Sequence, residues 1–222
     1  MKVNQLFSRY KVLPNIQDHL LNTASFAYIL TDNWKRKEIN KNIILESCLV
    51  HDIVNIIKAD LDKNDKILKE EIGNIEYWRK VKIEYINRYG READRATQLI
   101  AKEIGLSPLV NTIIQQSRFL NTTNIINSNN WELKVVTYSD FRIGPYGIVL
   151  LKERFREVKK RYRNKKKNVF IGKRADTLIK QSFILENQIQ DRVKIDIEQI
   201  TQKDINRNYK NLLGYNIPFS DN

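Results

Sequence analysis

The chain has 222 residues, a formal net charge of +13, 41% hydrophobic residues and one cysteine. That length can bury a substantial core in one domain with an appendage or in two small domains. A lone Cys48 excludes an internal disulfide and fits a reducing, cytoplasmic setting. No apolar run reaches the ~18 residues that span a bilayer, and the opening MKVNQLFSRYKVLPN has no long apolar core of a secretory signal. Seven glycines and four prolines among many Lys, Glu, Ile, Leu, Asn and Gln favour helices over a β-sandwich.

Residues 1–13 read as a lead-in. Pro14 suits the first turn of a helix over about 14–31. His19, Thr23, Phe26 and Leu30 share one stripe of it, and the polar stretch TDNWKRKEINK breaks it. A second helix, about 40–51, puts Ile44, Cys48 and His51 on one face, with Glu46 off that face and read as surface. It ends near His51-Asp52, because the following IVNIIK changes phase.

A longer helix is expected over about 67–88, stopped near Tyr89-Gly90. READRATQLIAKEIG forms the next, closed by Gly105. Ser107-Pro108 caps and opens LVNTIIQQSRFL. NTTNIINSNN is a loop by composition. Asn130 caps a helix to about 141 that carries Leu133, Val136, Thr137 and Asp140 on one face. Gly144-Pro145-Tyr146-Gly147 is a turn, and IVLLKERFREVKKRYR a basic amphipathic helix. Helices over about 173–191 and 201–213 close the chain.

The chain has two histidines, and both face inward on separate apolar helices. A single inward histidine is more often a satisfied core residue. The conjunction with Asp52, and with Asp140 ending a third helix, points instead to a metal site. Two imidazoles and two carboxylates offer N and O ligands without thiolate, a set that does not choose among Mn, Mg, Co, Ni, Fe and Zn. A bound ion of this kind lowers the pKa of water and binds a phosphoryl oxygen.

His19 … His51-Asp52 … Asp140 resembles the HD-domain superfamily of metal-dependent phosphohydrolases. LPNIQDHLLNTASFAYIL is similar to its first ligand helix. CLVHDIVNIIK is similar to the central helix ending in His-Asp, with Val54-Asn55 where a glycine is usual. VVTYSDFRIGPYGIVLLKERF resembles the helix carrying the last aspartate. The resemblance runs over roughly residues 10–165. It implies an all-α, HD-type helical bundle over residues 1–165; beyond it, additional C-terminal helices, residues 166–222, are expected as an extension packed on the same domain. It also implies His19, His51, Asp52 and Asp140 as ligands of one divalent metal ion. The two further histidines of bimetallic members are missing, and Asp94 is the one carboxylate in that region weighed as a substitute.

The expected activity is hydrolysis of a nucleotide or other phosphoester by a metal-activated water, with Asp52 in the catalytic role. Lys58 and Arg142 follow the ligands closely and are expected to bind phosphate; Arg118 and Arg79 are weaker candidates, and Glu70-Glu71 have no spacing that ties them to the site. The alternative is a non-catalytic basic protein that binds nucleic acid and keeps a structural or vestigial metal. Seven of the nine residues from Lys159 to Lys167 are basic, with Tyr162 placed to stack, although a charge run is more often a solvated face. The C-terminal helices either cover the core or make a homodimer, and the sequence leaves both open.

Overall fold

The computed structural model describes residues 1–36, 38–61, 74–163 and 169–219. These form eleven α-helices: α1 Val3–Arg9, α2 Pro14–Asp32, α3 Lys41–Val50, α4 Ile75–Tyr89, α5 Ala93–Ile104, α6 Pro108–Gln116, α7 Thr122–Asn127, α8 Trp131–Arg142, α9 Leu151–Arg161, α10 Lys173–Gln190 and α11 Gln202–Leu213. A two-stranded antiparallel hairpin, β1 Ile143–Gly144 and β2 Gly147–Ile148, links α8 to α9. The fold is therefore all-α.

α3 is the central helix. It packs against α2, α6 and α8, and every residue from Ile44 to Val50 is buried. A helix apolar on most of its circumference can only sit inside. Asn40 starts it, its side chain accepting from the Asn42 and Ile43 amides. Glu46 is buried with it rather than on the surface, and burial raises its carboxyl above the usual range.

α2 runs beside α3 and is clasped on another side by α11. Leu20, Leu21, Ala24, Phe26, Ala27 and Leu30 of α2 are buried, and Phe26 meets the Tyr138 ring of α8 at 5.8 Å. One hydrophobic cluster extends from Val3 to Ile217, so α11 shares the core of α2 and α3.

Several expected boundaries hold for local reasons. Pro14 occupies the first turn of α2. Ser107 and Asn130 accept hydrogen bonds from the Val110 and Leu133 amides, and Gly105 takes the left-handed conformation after α5.

Other expectations change. Residues 1–13 are not a mere lead-in: α1 buries Val3, Leu6 and Phe7. The chain ends pair, with Val3 N–H donating to Tyr215 O at 3.0 Å and Ile217 N–H to Met1 O at 2.9 Å. NTTNIINSNN contains α7, whose Ile125 is buried and whose side packs on α10. Trp34, in the polar break, is buried edge-on to Trp131 at 5.7 Å and bridged to Val193. The helix expected over 67–88 is described from Ile75, capped by Asn74; its earlier residues, and Glu70-Glu71, lie outside the described residues.

Candidate metal centre

Three helices meet where the two histidines were expected. His19 lies on the second turn of α2, His51 caps α3, and Asp140 is in the last turn of α8. His19 Nε2 is 3.3 Å from His51 Nε2 and 3.1 Å from Asp140 Oδ1, and His51 Nε2 is 3.6 Å from the same oxygen. Two ligands ~2.1 Å from one ion and about 90–110° apart are separated by about 3.0–3.4 Å. Two of the three separations fall in that range and the third, 3.6 Å, lies just beyond it, so small side-chain shifts would place all three atoms around one divalent ion.

The hydrogen bonding agrees. His51 Nδ1 is 2.9 Å from Cys48 O. A carbonyl only accepts, so Nδ1 carries the hydrogen, and the neutral ring turns its Nε2 lone pair toward His19 and Asp140. Cys48 itself packs as a buried free thiol, and burial raises its pKa.

Three acceptors that converge repel one another unless a cation lies among them. Without an ion, a proton fills that role. Burial opposes charge on His51, but Asp52 and Asp140 outweigh it and push the imidazole up to about 9. Burial likewise opposes charge on Asp140, yet the hydrogen bonds and charges of both histidines hold it well below the usual carboxylate range.

Asp52 stands slightly apart, its Oδ2 4.0 Å from His51 Nε2. The tight group is therefore His19, His51 and Asp140, with Asp52 beside it on the wall of a cavity of about 230 Å³. The same cavity is lined by Lys58, Asp94, Arg118 and Arg154. Lys58 Nζ donates to Asp94 Oδ1 at 2.9 Å, and Arg118 Nη1 bonds the other oxygen. Burial works against charge on Asp94, but these two cations lower its pKa; it neutralises them rather than joining the histidines. Lys58 is also in the field of Asp52, and its pKa is raised despite burial.

Arg142 corrects an expectation. It is 1% exposed and absent from the cavity wall. Its Nε donates to Val149 O at 2.7 Å, and its Nη1 to Tyr138 Oη at 2.8 Å and Ile197 O at 3.0 Å. Residue 142 is two positions after Asp140, so about 200° round the helix, and its side chain goes into the core when that of Asp140 faces the cavity. Its role is to tie α8, the hairpin and the segment before α11 together. Arg118, the weaker candidate, and Arg154, which sequence reasoning passed over, line the cavity instead. The clue to Arg154 was its place beside Phe155 on the apolar stripe of α9.

In the basic run, Lys159 pairs with Asp176 at 2.8 Å and Arg161 with Glu157 at 2.9 Å. Residues 164–167 of the run lie outside the described residues. No helix among the described residues is long and apolar enough to cross a membrane.

No curated protein and no solved structure matches the chain. A family model for the HD domain matches residues 16–178. That span contains His19, His51, Asp52 and Asp140 in order, and it reaches into α10. The chain belongs to the HD-domain superfamily of metal-dependent phosphohydrolases.

Proposed function

We propose that the protein is a divalent-metal-dependent phosphohydrolase that acts on a nucleotide or another phosphoester. The observation that carries this reading is the convergence of His19 Nε2, His51 Nε2 and Asp140 Oδ1 within 3.1–3.6 Å beside a cavity that carries cations.

In this reading His19, His51 and Asp140 hold one ion, and Asp52 supplies a fourth ligand atom, a second oxygen, or accepts a proton from the attacking water. The ion, when bound, supplies a Lewis acid and a water of lowered pKa. The Cys48 carbonyl fixes the His51 ring so that Nε2 is presented. Lys58 and Arg118 balance the charge of the phosphoryl group, and Asp94 keeps both extended over the cavity when no anion is present.

The test is elemental analysis of the wild type, Asp140→Ala and Asp52→Ala, followed by phosphate release from a phosphoester panel with Mn, Mg, Co or Ni. The reading expects about one ion per wild-type chain, release of phosphate, and loss of both in Asp140→Ala. A wild type that binds no ion, or an Asp140→Ala variant that keeps both properties, overturns it.

Nucleic acid held along Lys159 to Lys167 is the second reading, supported by exposed Lys160 beside the cavity-lining face of α9. Charge-driven binding of that kind weakens by about 10³-fold or more between 50 and 200 mM salt. Hydrolysis of a small phosphoester does not.

A further inference from the structure

The cavity beside the ligand triad has a mixed lining: Lys58, Asp94, Arg118 and Arg154 bring charge, Ser117 a hydroxyl, and Phe119, Phe141, Phe155 and Phe170 their rings. Much of it comes from short stretches of chain, since Arg118-Phe119, Asp140-Phe141 and Arg154-Phe155 are consecutive pairs. Each pair delivers one charged group and one ring to a single cavity.

The four rings are not equivalent. Phe141 and Phe155 are buried, 5.8 Å apart and near-perpendicular, and belong to the core. Phe119 and Phe170 are only half-buried. Their ring centroids are 4.8 Å apart and the planes differ by 32°, with Phe155 supporting Phe119 from 5.7 Å. Phe119 and Phe170 pack on the core from its edge, Phe170 also against Tyr162 at 5.6 Å, and both line the cavity that a lysine, two arginines and an aspartate share. Apolar surface kept open inside a concave site, with a few polar groups converging on it, is the usual arrangement for a small ligand.

We propose that Phe119 and Phe170 form the wall that receives a flat, apolar ring of the substrate, while Arg118, with Lys58, holds its phosphate. The proposal rests on the phosphohydrolase reading for the phosphate end, and adds the chemical class of the other end and the residues that select it. A phosphoryl group lies toward the triad and Asp94's two cations, and the ring lies against the aromatic pair. The cavity volume, about 230 Å³, equals that of about eight liquid waters, which suits a phosphoryl group with one ring system. A nucleobase and a simple aryl group share this chemistry. Polyol and sugar phosphates do not, since they have no π-face to set against the two rings.

The experiment measures binding, so that it does not depend on turnover. Phenylphosphonate and methylphosphonate, neither of which can be hydrolysed to phosphate, are titrated calorimetrically into the full-length, Mn-saturated chain. The wild type is expected to bind phenylphosphonate about tenfold more tightly. Phe170→Ser and Phe119→Ser are each expected to remove most of that preference with little change for methylphosphonate. Arg118→Gln is expected to weaken both ligands by about tenfold and keep their ratio. Thermal melts confirm that each variant is folded, and agreement between the two serine variants guards against a local defect in one. Adenosine and uridine 5′-phosphonates separate the two ring sources: tighter binding than phenylphosphonate assigns a nucleobase, and weaker binding a simple aryl. Equal affinity of the wild type for phenyl and methyl compounds overturns the proposal, as does a preference that survives both serine substitutions, or no binding of either compound. A persistent aryl preference in a protein that hydrolyses no phosphoester sinks the phosphohydrolase reading and leaves this assignment intact.

Discussion

Arg142→Met separates a structural arginine from a substrate-binding one. The wild-type guanidinium is sealed in the core, makes three hydrogen bonds of 2.7–3.0 Å, and lies 3.9 Å from Glu186 Oε1. It also sits over the Phe26 ring, 5.1 Å from the centroid. Methionine fills part of the volume but donates nothing. The Val149 and Ile197 carbonyls then lose their bonds from this side chain, and the buried Glu186 carboxylate keeps, among the described residues, the Tyr138 hydroxyl at 2.7 Å. Hydrogen bonds to charged groups contribute ~1.5–3 kcal/mol each. The guanidinium no longer has to be desolvated, which offsets part of that sum, and breaking a buried pair costs about 3–5 kcal/mol net. For a chain of this size that is a fall in Tm of roughly 6–20 °C. Urea unfolding monitored by circular dichroism, with the slope compared between variants, reads the loss directly. Adding Glu186→Gln to Arg142→Met should restore ~1 kcal/mol or more, because the stranded anion is removed. A loss below about 1 kcal/mol, with phosphate affinity reduced, would refute the reasoning and return Arg142 to the site.

Metal affinity should rise with pH. In the ion-free protein His51 holds its proton up to about 9, and the metal must displace it, so affinity should increase by up to tenfold per unit between pH 6 and 8. Competition with a chelator at three pH values checks this, and a flat profile speaks against His51 as a ligand. The same raised pKa works on ion-free stability with a definite sign. The contribution of His51 is fully present below its unfolded value of 6.5 and is lost as pH rises toward about 9. Ion-free wild type should therefore lose stability over that window more steeply than His51→Gln. Asp94→Asn should change stability by less than about 1 kcal/mol, since the carboxylate and its two cations are between a third and about half exposed. It should tighten phosphate binding, because Lys58 and Arg118 lose a competing anion. Asn130→Ala should cost ~1 kcal/mol in urea unfolding through the lost Leu133 amide bond.

By itself the sequence determined that the chain is helical, where most helices stop, and which residues are the metal candidates. These properties are local. Ser107, Asn130, Gly105 and Pro14 act on the nearest backbone groups, and an inward histidine is read from the period of its own helix. His51-Asp52 was also legible because two chemically distinctive residues stand adjacent in an otherwise apolar stretch. Tertiary structure alone decided the rest. α1 and α7 are too short or too polar to be read from pattern, and they exist because α11, α10 and the chain ends pack on them. The direction of Arg142 was set by the 100° step of α8: once Asp140 faced the cavity, a side chain two residues later faced the core. The Arg118–Asp94–Lys58 cluster and the half-buried Phe119–Phe170 pair join segments far apart in sequence, and no local signal marks residues that meet only when α5, α6 and the start of α10 close around the ends of α3 and α8.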